Sequence, residues 1–358
     1  MIFGTVFLIQ NERPVFDKAP KINIYKSFEQ TGLFESDELL NITLQGNINE
    51  LMNDRADNMS LHPIVLSYIQ ADNSAISLRV NMRTRGHFRR LSENCSYPPL
   101  SIQFIQNDTL GSSIFREQEK MKLVMPCNGD EFVIREWLVY KLYNLVTPKS
   151  FRARLVKVQL EDLKNRKEIS PFYGMLIEEE KQMAHRNMLL PMEVKINPEK
   201  AAPETFLEMA VFQYLIGNTD WSVQYLQNIK LIAHDSLALM HTVPYDFDHA
   251  GIVGAPYAKP APELDLLSVN ERRYRGYCIK DFKKFDSVIA HYKLLKQAIY
   301  DLYANCPLIN EKYKKRVFKY LDDFYEILDN GKRCQKEFTY PCNKNGTGNV
   351  VIKGLKDQ

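Results

Sequence analysis

The chain has 358 residues, 45% apolar and 25% charged, with Gly (15) and Pro (17) at ordinary levels. That composition excludes disordered, collagen-like and low-complexity chains, and the length suits two domains or lobes. The 47 basic and 44 acidic residues nearly balance, so the charge does not point to nucleic acid or an anionic membrane as the main partner.

In chain order, the first feature is residues 1–9, the longest apolar stretch. It falls well short of the roughly 20 residues of a membrane-spanning helix, so no integral membrane segment is expected. Two readings stay open: the remnant of an export leader, or a buried first strand. No basic residue precedes it and no Ala-x-Ala site follows. A leader would place the protein in the periplasm, on the cell surface or in the medium.

From about residue 38 to 178 the patterning is mainly that of strands. Residues 40–44, 63–68, 76–83 and 100–104 alternate apolar and polar side chains or carry β-branched and aromatic ones. One helix is predicted within this region, over 131–146, with Phe132, Ile134, Trp137, Leu138, Leu142 and Leu145 apolar. After Pro198 the pattern turns helical. Pro203 suits a helix's first turn, and Gly217-Asn218 suits its end. Long amphipathic helices are predicted over 280–328, with Ile289, Leu294, Leu295, Ile299 and Leu302 apolar and the tyrosines and phenylalanines as packing surface. The tail from Asn343 reads as a loop. The fold class is therefore α+β: an extension over 1–37, a β-rich N-terminal lobe over 38–190, and a mainly helical C-terminal lobe over 191–358, with a hinge near 185–200.

Six cysteines occur and none forms a CxxC pair, which argues against a zinc ribbon. Cys95 with Cys127, and Cys334 with Cys342, are the first pairings to test, against six buried thiols as the alternative.

The chemistry concentrates in Gly217-Asn218-Thr219-Asp220-Trp221, then Asn228 before an apolar strand, then Pro244-Tyr245-Asp246-Phe247-Asp248. Phosphoryl transfer needs a carboxylate to orient the attacking hydroxyl and oxygen ligands to hold a metal against the phosphates. A loop acid, an Asn and a strand-end Asp in this order supply both, as in protein kinases. Asp220 is the candidate base, Asn228 and Asp246 the candidate metal ligands, and Asp248 a further metal or water ligand. Oxygen donors suit Mg²⁺ or Mn²⁺, not zinc. Against this, Asx residues also end turns, and two strand-end acids can simply face solvent. No nucleophile elbow, HExxH or Walker lysine loop occurs.

The segments GNTDW, QNIKLI and VPYDFDHAG together resemble atypical kinases of the CotH type. VNMRTRGHFRR resembles that family's Arg-Gly strand and turn, and FYGMLIEEEK resembles its Gly-Tyr…Glu strand. The resemblance spans roughly residues 75–255. It implies a bilobal protein-kinase-like fold that binds ATP and phosphorylates a hydroxyl, with protein Ser or Thr as the implied acceptor. The family's Lys-rich strand has no counterpart in residues 95–104. Lys122 is the candidate substitute, with Arg83 and Arg85 as alternatives, since a guanidinium grips phosphate at two points. Glu178 or Glu180 could orient the lysine, with Glu136 as a rival. The Arg83, Arg85, Arg89, Arg90 run could equally be a solvated face. A pseudokinase scaffold and adenylyl (AMP) transfer on the same fold are the alternative functions.

Overall fold

A computed structural model describes residues 32–70, 73–106, 108–116, 118–165 and 167–342. Residues 1–9 and the tail from Asn343 lie outside the described residues. Among the described residues ten strands are present: β1 Leu40–Gly46, β2 His62–Ile69, β3 Ala75–Thr84, β4 Leu100–Phe104, β5 Lys120–Val124, β6 Ala153–Asp162, β7 Lys167–Ile177, β8 Leu190–Met192, β9 Ile229–Ala233 and β10 His241–Pro244. The helices are α1 Ile48–Asn53, α2 Asp108–Gly111, α3 Asp130–Val146, α4 Glu180–Arg186, α5 Pro203–Ile216, α6 Asp286–Leu294, α7 Lys296–Ala304, α8 Glu311–Asp329 and α9 Gly331–Glu337. The fold is α+β, with a β-rich N-terminal part and a helical C-terminal part.

The first seven strands form a closed barrel in the order β1-β2-β3-β4-β5-β7-β6, sealed by the parallel pairing of β1 with β6. Closure leaves no free sheet edge. Leu44, Leu66, Val80, Ile102, Leu123 and Val158 fill the interior. The alternate residues point outward, so Val124, Leu155, Met175 and Ile177 belong to a second core with α3, α5 and the C-terminal helices. Strands β10-β9-β8 form a small antiparallel sheet on that side.

Local chemistry explains the two helices nearest the site. Helix α3 opens on Asp130 and Glu131, acids that favour a helix N-terminus. Helix α5 starts at Pro203 and ends at Gly217, whose φ of +68° is left-handed. A Cβ at Gly217 would fall 2.0 Å from the Tyr320 hydroxyl, so this turn has no room for a side chain.

The predicted C-terminal helices are present, but Leu294 is not part of their buried face: it ends α6 and is 80% exposed. Tyr292, Tyr303, Phe324 and Tyr325 are buried, as core aromatics should be. No helix among the described residues is long and apolar enough to cross a membrane.

Cys95 bonds Cys127, one of the two pairings put first for testing. The pairing of Cys334 with Cys342 is corrected: Cys278 takes Cys342. Cys334 is a free thiol on the buried face of α9, within the C-terminal core. The Cys95–Cys127 bridge spans 32 residues. On a chain-entropy argument a loop of that length contributes about 3–4 kcal/mol. Replacing both cysteines by Ser is therefore expected to lower the unfolding free energy in urea by about that amount, and an unchanged midpoint would contradict it.

Candidate active site

Three loops converge at the open end of the β9–β10 hairpin. Asp220 lies in the loop after α5, Asn228 directly precedes β9, and Asp246 follows β10 by two residues. The hairpin register pairs Ile229 with Pro244, and the Tyr245 N–H donates to the Asn228 carbonyl at 3.0 Å. Asn228 and Asp246 are therefore neighbours despite the intervening strands. The Asn228 Nδ2 donates to the Asp220 carbonyl at 2.8 Å and to its carboxylate at 3.0 Å. The Asp220 N–H in turn donates to Asn218 Oδ1 at 3.0 Å. The Asn228 amide is thus spent on Asp220, while its Oδ1 accepts no hydrogen bond among the described residues.

Both Asn228 (φ +50°) and Asp246 (φ +62°) sit in the left-handed region without being glycine. Such conformations are costly, of order 1–3 kcal/mol, and cluster at functional sites. Asp246 is fixed in its turn by donating its N–H to the Tyr140 hydroxyl on α3 at 2.9 Å.

Behind Asp246 lies a buried charge network. The Arg89 guanidinium reaches Asp248 at 3.6 Å and Glu136 at 3.9 Å, and donates to the Met125 carbonyl. Tyr257 donates to Asp248 at 3.0 Å. Burial opposes the charge on Arg89, but Tyr257, Asp248, Glu136 and Asp246 outweigh it and raise its pKa. Burial also raises Asp246, helped by Asp248 and opposed by Arg89, Arg85 and Lys122. Glu136 on α3, 2% exposed, is pushed well above the carboxylate range by burial, Asp248 and Asp246. Its Oε1 has no hydrogen-bond partner among the described residues. Three carboxyls therefore share one buried guanidinium.

Opposite them stand the cations of the barrel. Lys122 lies on the outer face of β5, with its ammonium 4.6 Å from the centre of the Tyr245 ring. Its pKa is lowered to about 8, by burial first and then by Arg85, with Asp246 opposing. Arg85 lies just past the end of β3, where its N–H donates to the Pro99 carbonyl. Arg83 is exposed and shares a cross-strand row with Ser101 and Lys122. The Arg85 charge acts on both Asp246 and Lys122, and Arg83, two residues before it, is exposed.

The structure corrects two further expectations. Glu178 does not orient Lys122. It is fully buried and held by Arg152 at 2.8 Å and Arg186 at 3.0 Å, where it joins the ends of β7 and α4 to the start of β6. The reason is parity: Ile177 stands opposite Lys122 in the register, so the next residue turns away. Glu180 lies nearer Lys122 but is paired with Lys230 at 2.7 Å. Nor is the arginine run a solvated face throughout. Arg89 is in the acid network, and Arg90 is buried against Asp57 and the Ala56 carbonyl. Asp248 is engaged by Arg89 and Tyr257, which makes it the anchor of Arg89.

Sequence reasoning missed Arg89 as a hub, Tyr140 and Tyr257 as partners, and Arg275. The buried Arg275 donates to the carbonyls of Thr219 and Trp221, on either side of Asp220. Three arginines within Glu271–Gly276 were the available signal. Burial raises the Asp220 pKa, with His249 the leading opposing charge. The His249 ring packs with Phe88 and Tyr257.

No protein-family model matches the chain, and no curated protein does. Among solved structures, the chain is similar to the Helicobacter pylori proinflammatory kinase CtkA at 13% identity and a TM-score of 0.41, over 69% of this chain and 92% of that one. An overlap at that level carries no argument about chemistry, which has to come from the site itself.

Removing the Glu178 charge strands two arginines. Glu178→Gln is expected to cost about 3–5 kcal/mol of stability, the usual penalty for breaking a buried ion pair, and to leave nucleotide affinity unchanged in the folded protein. A weakened affinity with unchanged stability, measured by urea unfolding beside calorimetry, would reverse the assignment.

Proposed function

We propose that the chain is an atypical kinase with a bilobal kinase-like arrangement, nucleotide-binding over 38–190 and catalytic over 191–358. It would transfer the γ-phosphoryl group of ATP to a hydroxyl, with protein Ser or Thr as the acceptor class. The observation that carries this reading is the convergence of Asp220, Asn228 and Asp246 at one hairpin end, opposite Lys122 and Arg85. Distant segments meet there at Asn228 and Asp246, both at positive φ, and the three groups would serve the roles that phosphoryl transfer requires.

The donor set fits Mg²⁺ or Mn²⁺. Magnesium is commonly held by one or two carboxylates together with substrate phosphates and waters. The Asp246 carboxylate and Asn228 Oδ1 would hold it, with Asp248 behind them tied to Arg89. The surplus of buried acid around Asp246 and the unpartnered Glu136 Oε1 favour a cation nearby. Such an ion would neutralise phosphate charge.

The chain's own residues supply the rest. Lys122 and Arg85 would bind phosphate oxygens. Asn228 holds the Asp220 carboxylate in place, and Asp220 would orient the acceptor O–H and take its proton. The acceptor oxygen then bonds to the γ-phosphorus as the bond to the β-phosphate oxygen breaks, and ADP leaves. A base with a raised pKa suits proton removal near neutrality.

Calorimetry beside product assay separates the roles. Asp246→Ala is expected to weaken Mg-dependent ATP binding at least about tenfold, one decade per 1.4 kcal/mol. Asp220→Ala is expected to retain binding and lose transfer by about 100-fold or more. Full activity in both variants would sink the mechanism, and absence of ATP binding in the wild type would leave the scaffold reading.

The lowered lysine pKa gives a pH signature. Below about 8 Lys122 is cationic, and above it the charge is lost. ATP affinity is therefore expected to fall as pH rises through about 8, and Lys122→Arg is expected to flatten that fall. An unchanged slope in the variant would remove Lys122 from the phosphate site.

A further inference from the structure

A second group of buried cations lies on the far side of the Asp220 loop. A cavity of about 340 Å³ is bounded by Arg272, Arg273, Tyr274 and Arg275 on one wall and by the tail around Lys336 and Tyr340 on the other. The Cys278–Cys342 disulfide ties the segment that carries the first wall to the end of the second. The cavity is therefore held at both sides independently of any ligand.

Cations outnumber carboxylates on the walls of this cavity. Neither Arg272 nor Arg275 has a carboxylate within salt-bridge distance among the described residues, although Asp323 lies in the field of the first and Asp220 in that of the second. Arg272 donates to the carbonyls of Leu215 and Tyr320. Arg275, 8% exposed, donates to those of Thr219 and Trp221. The one carboxylate on the walls, Glu337, accepts from Tyr214 at 2.8 Å. Two donors at the cavity are buried and have no hydrogen-bond partner among the described residues: Arg275 Nε and the Tyr274 hydroxyl, on residues 8% and 4% exposed. Buried donors are nearly always paired, so the Arg275 Nε and Tyr274 hydroxyl left open at a cavity rich in cations imply that an anionic acceptor arrives from outside.

We infer that this cavity is a binding site for a phosphate group, free or as the head of a small phosphate ester, separate from the candidate active site and linked to it through Arg275. Phosphate matches guanidinium donors at two points and accepts from a hydroxyl. The volume suits a small ligand. Arg275 would carry the signal, since it holds the carbonyls on both sides of Asp220 and lies 5.4 Å from the centre of the Trp221 ring. Arg273 and Lys336 are exposed at the rim, so they can be altered without disturbing the core.

The test uses Trp221 as reporter. With Trp137→Phe as background, Trp221 is the only remaining tryptophan. Inorganic phosphate and glycerol 3-phosphate are titrated against fluorescence, with sodium chloride of equal ionic strength as control. The expected result is a saturable change with either probe, weakened about tenfold or more by Arg273→Glu with Lys336→Glu and retained in Arg85→Glu, which alters the other site. The tighter probe distinguishes free phosphate from ester. A change no different from chloride, or one lost in Arg85→Glu and untouched by the rim variants, would overturn the proposal. None of these readouts depends on phosphoryl transfer.

Discussion

The candidate site depends on one side-chain amide. Asn228 donates both its bonds to Asp220, and this joins the loop after α5 to the start of the β9–β10 hairpin. The same residue accepts from the Tyr245 N–H, which places Asp246 beside it. Asn228 can do this because its backbone accepts a left-handed φ of +50°, a conformation that Asn tolerates better than most residues. An Asp at 228 would set two carboxylates against each other, and a Leu would leave Asp220 buried without its donor. Proposed base and proposed metal ligand are thus positioned by the same few atoms.

Around that joint, charge is distributed unevenly. Glu136, Asp246 and Asp248 share Arg89, and burial holds Glu136 and Asp246 above their ordinary titration range. The barrel contributes Lys122 and Arg85 from the other side. A site with acids on one wall and cations on the other can hold a metal and phosphates together, since each wall offsets the charge the other ligand brings. Tyr140 ties the arrangement to α3, and α3 is packed on the outside of the barrel. The rigid elements, not the loops alone, therefore set the positions of the acids.

Much of this was legible in the sequence because local rules act there. Period-two alternation located β1 to β4, and Pro203 and Gly217 bounded α5. The order Asp220, Asn228, Asp246 was visible as a motif because each residue ends or starts a regular element. What was not legible was set by contacts between segments far apart. Closure of the barrel depends on β1 meeting β6, which no window of residues contains. Arg89 looks like any member of a basic run until the turn containing it is buried against Met125 and Asp248. Glu178 reads as a strand-end acid near a lysine, yet strand parity turns it toward Arg152 and Arg186. Cys334 and Cys342 are close in sequence, but α9 points the first into the core. The cations at Arg272 and Arg275 are unremarkable in composition and become informative only when the tail covers them.

The central claim is that this constellation transfers a phosphoryl group, and the most direct measurement is intact-protein mass spectrometry after incubation with ATP and Mg²⁺ or Mn²⁺, beside an Asp246→Ala control. The account predicts added phosphoryl units on the wild-type chain or on an added protein acceptor, and none with the variant. Added adenylyl units, or phosphoryl units that appear equally with Asp246→Ala, would contradict it.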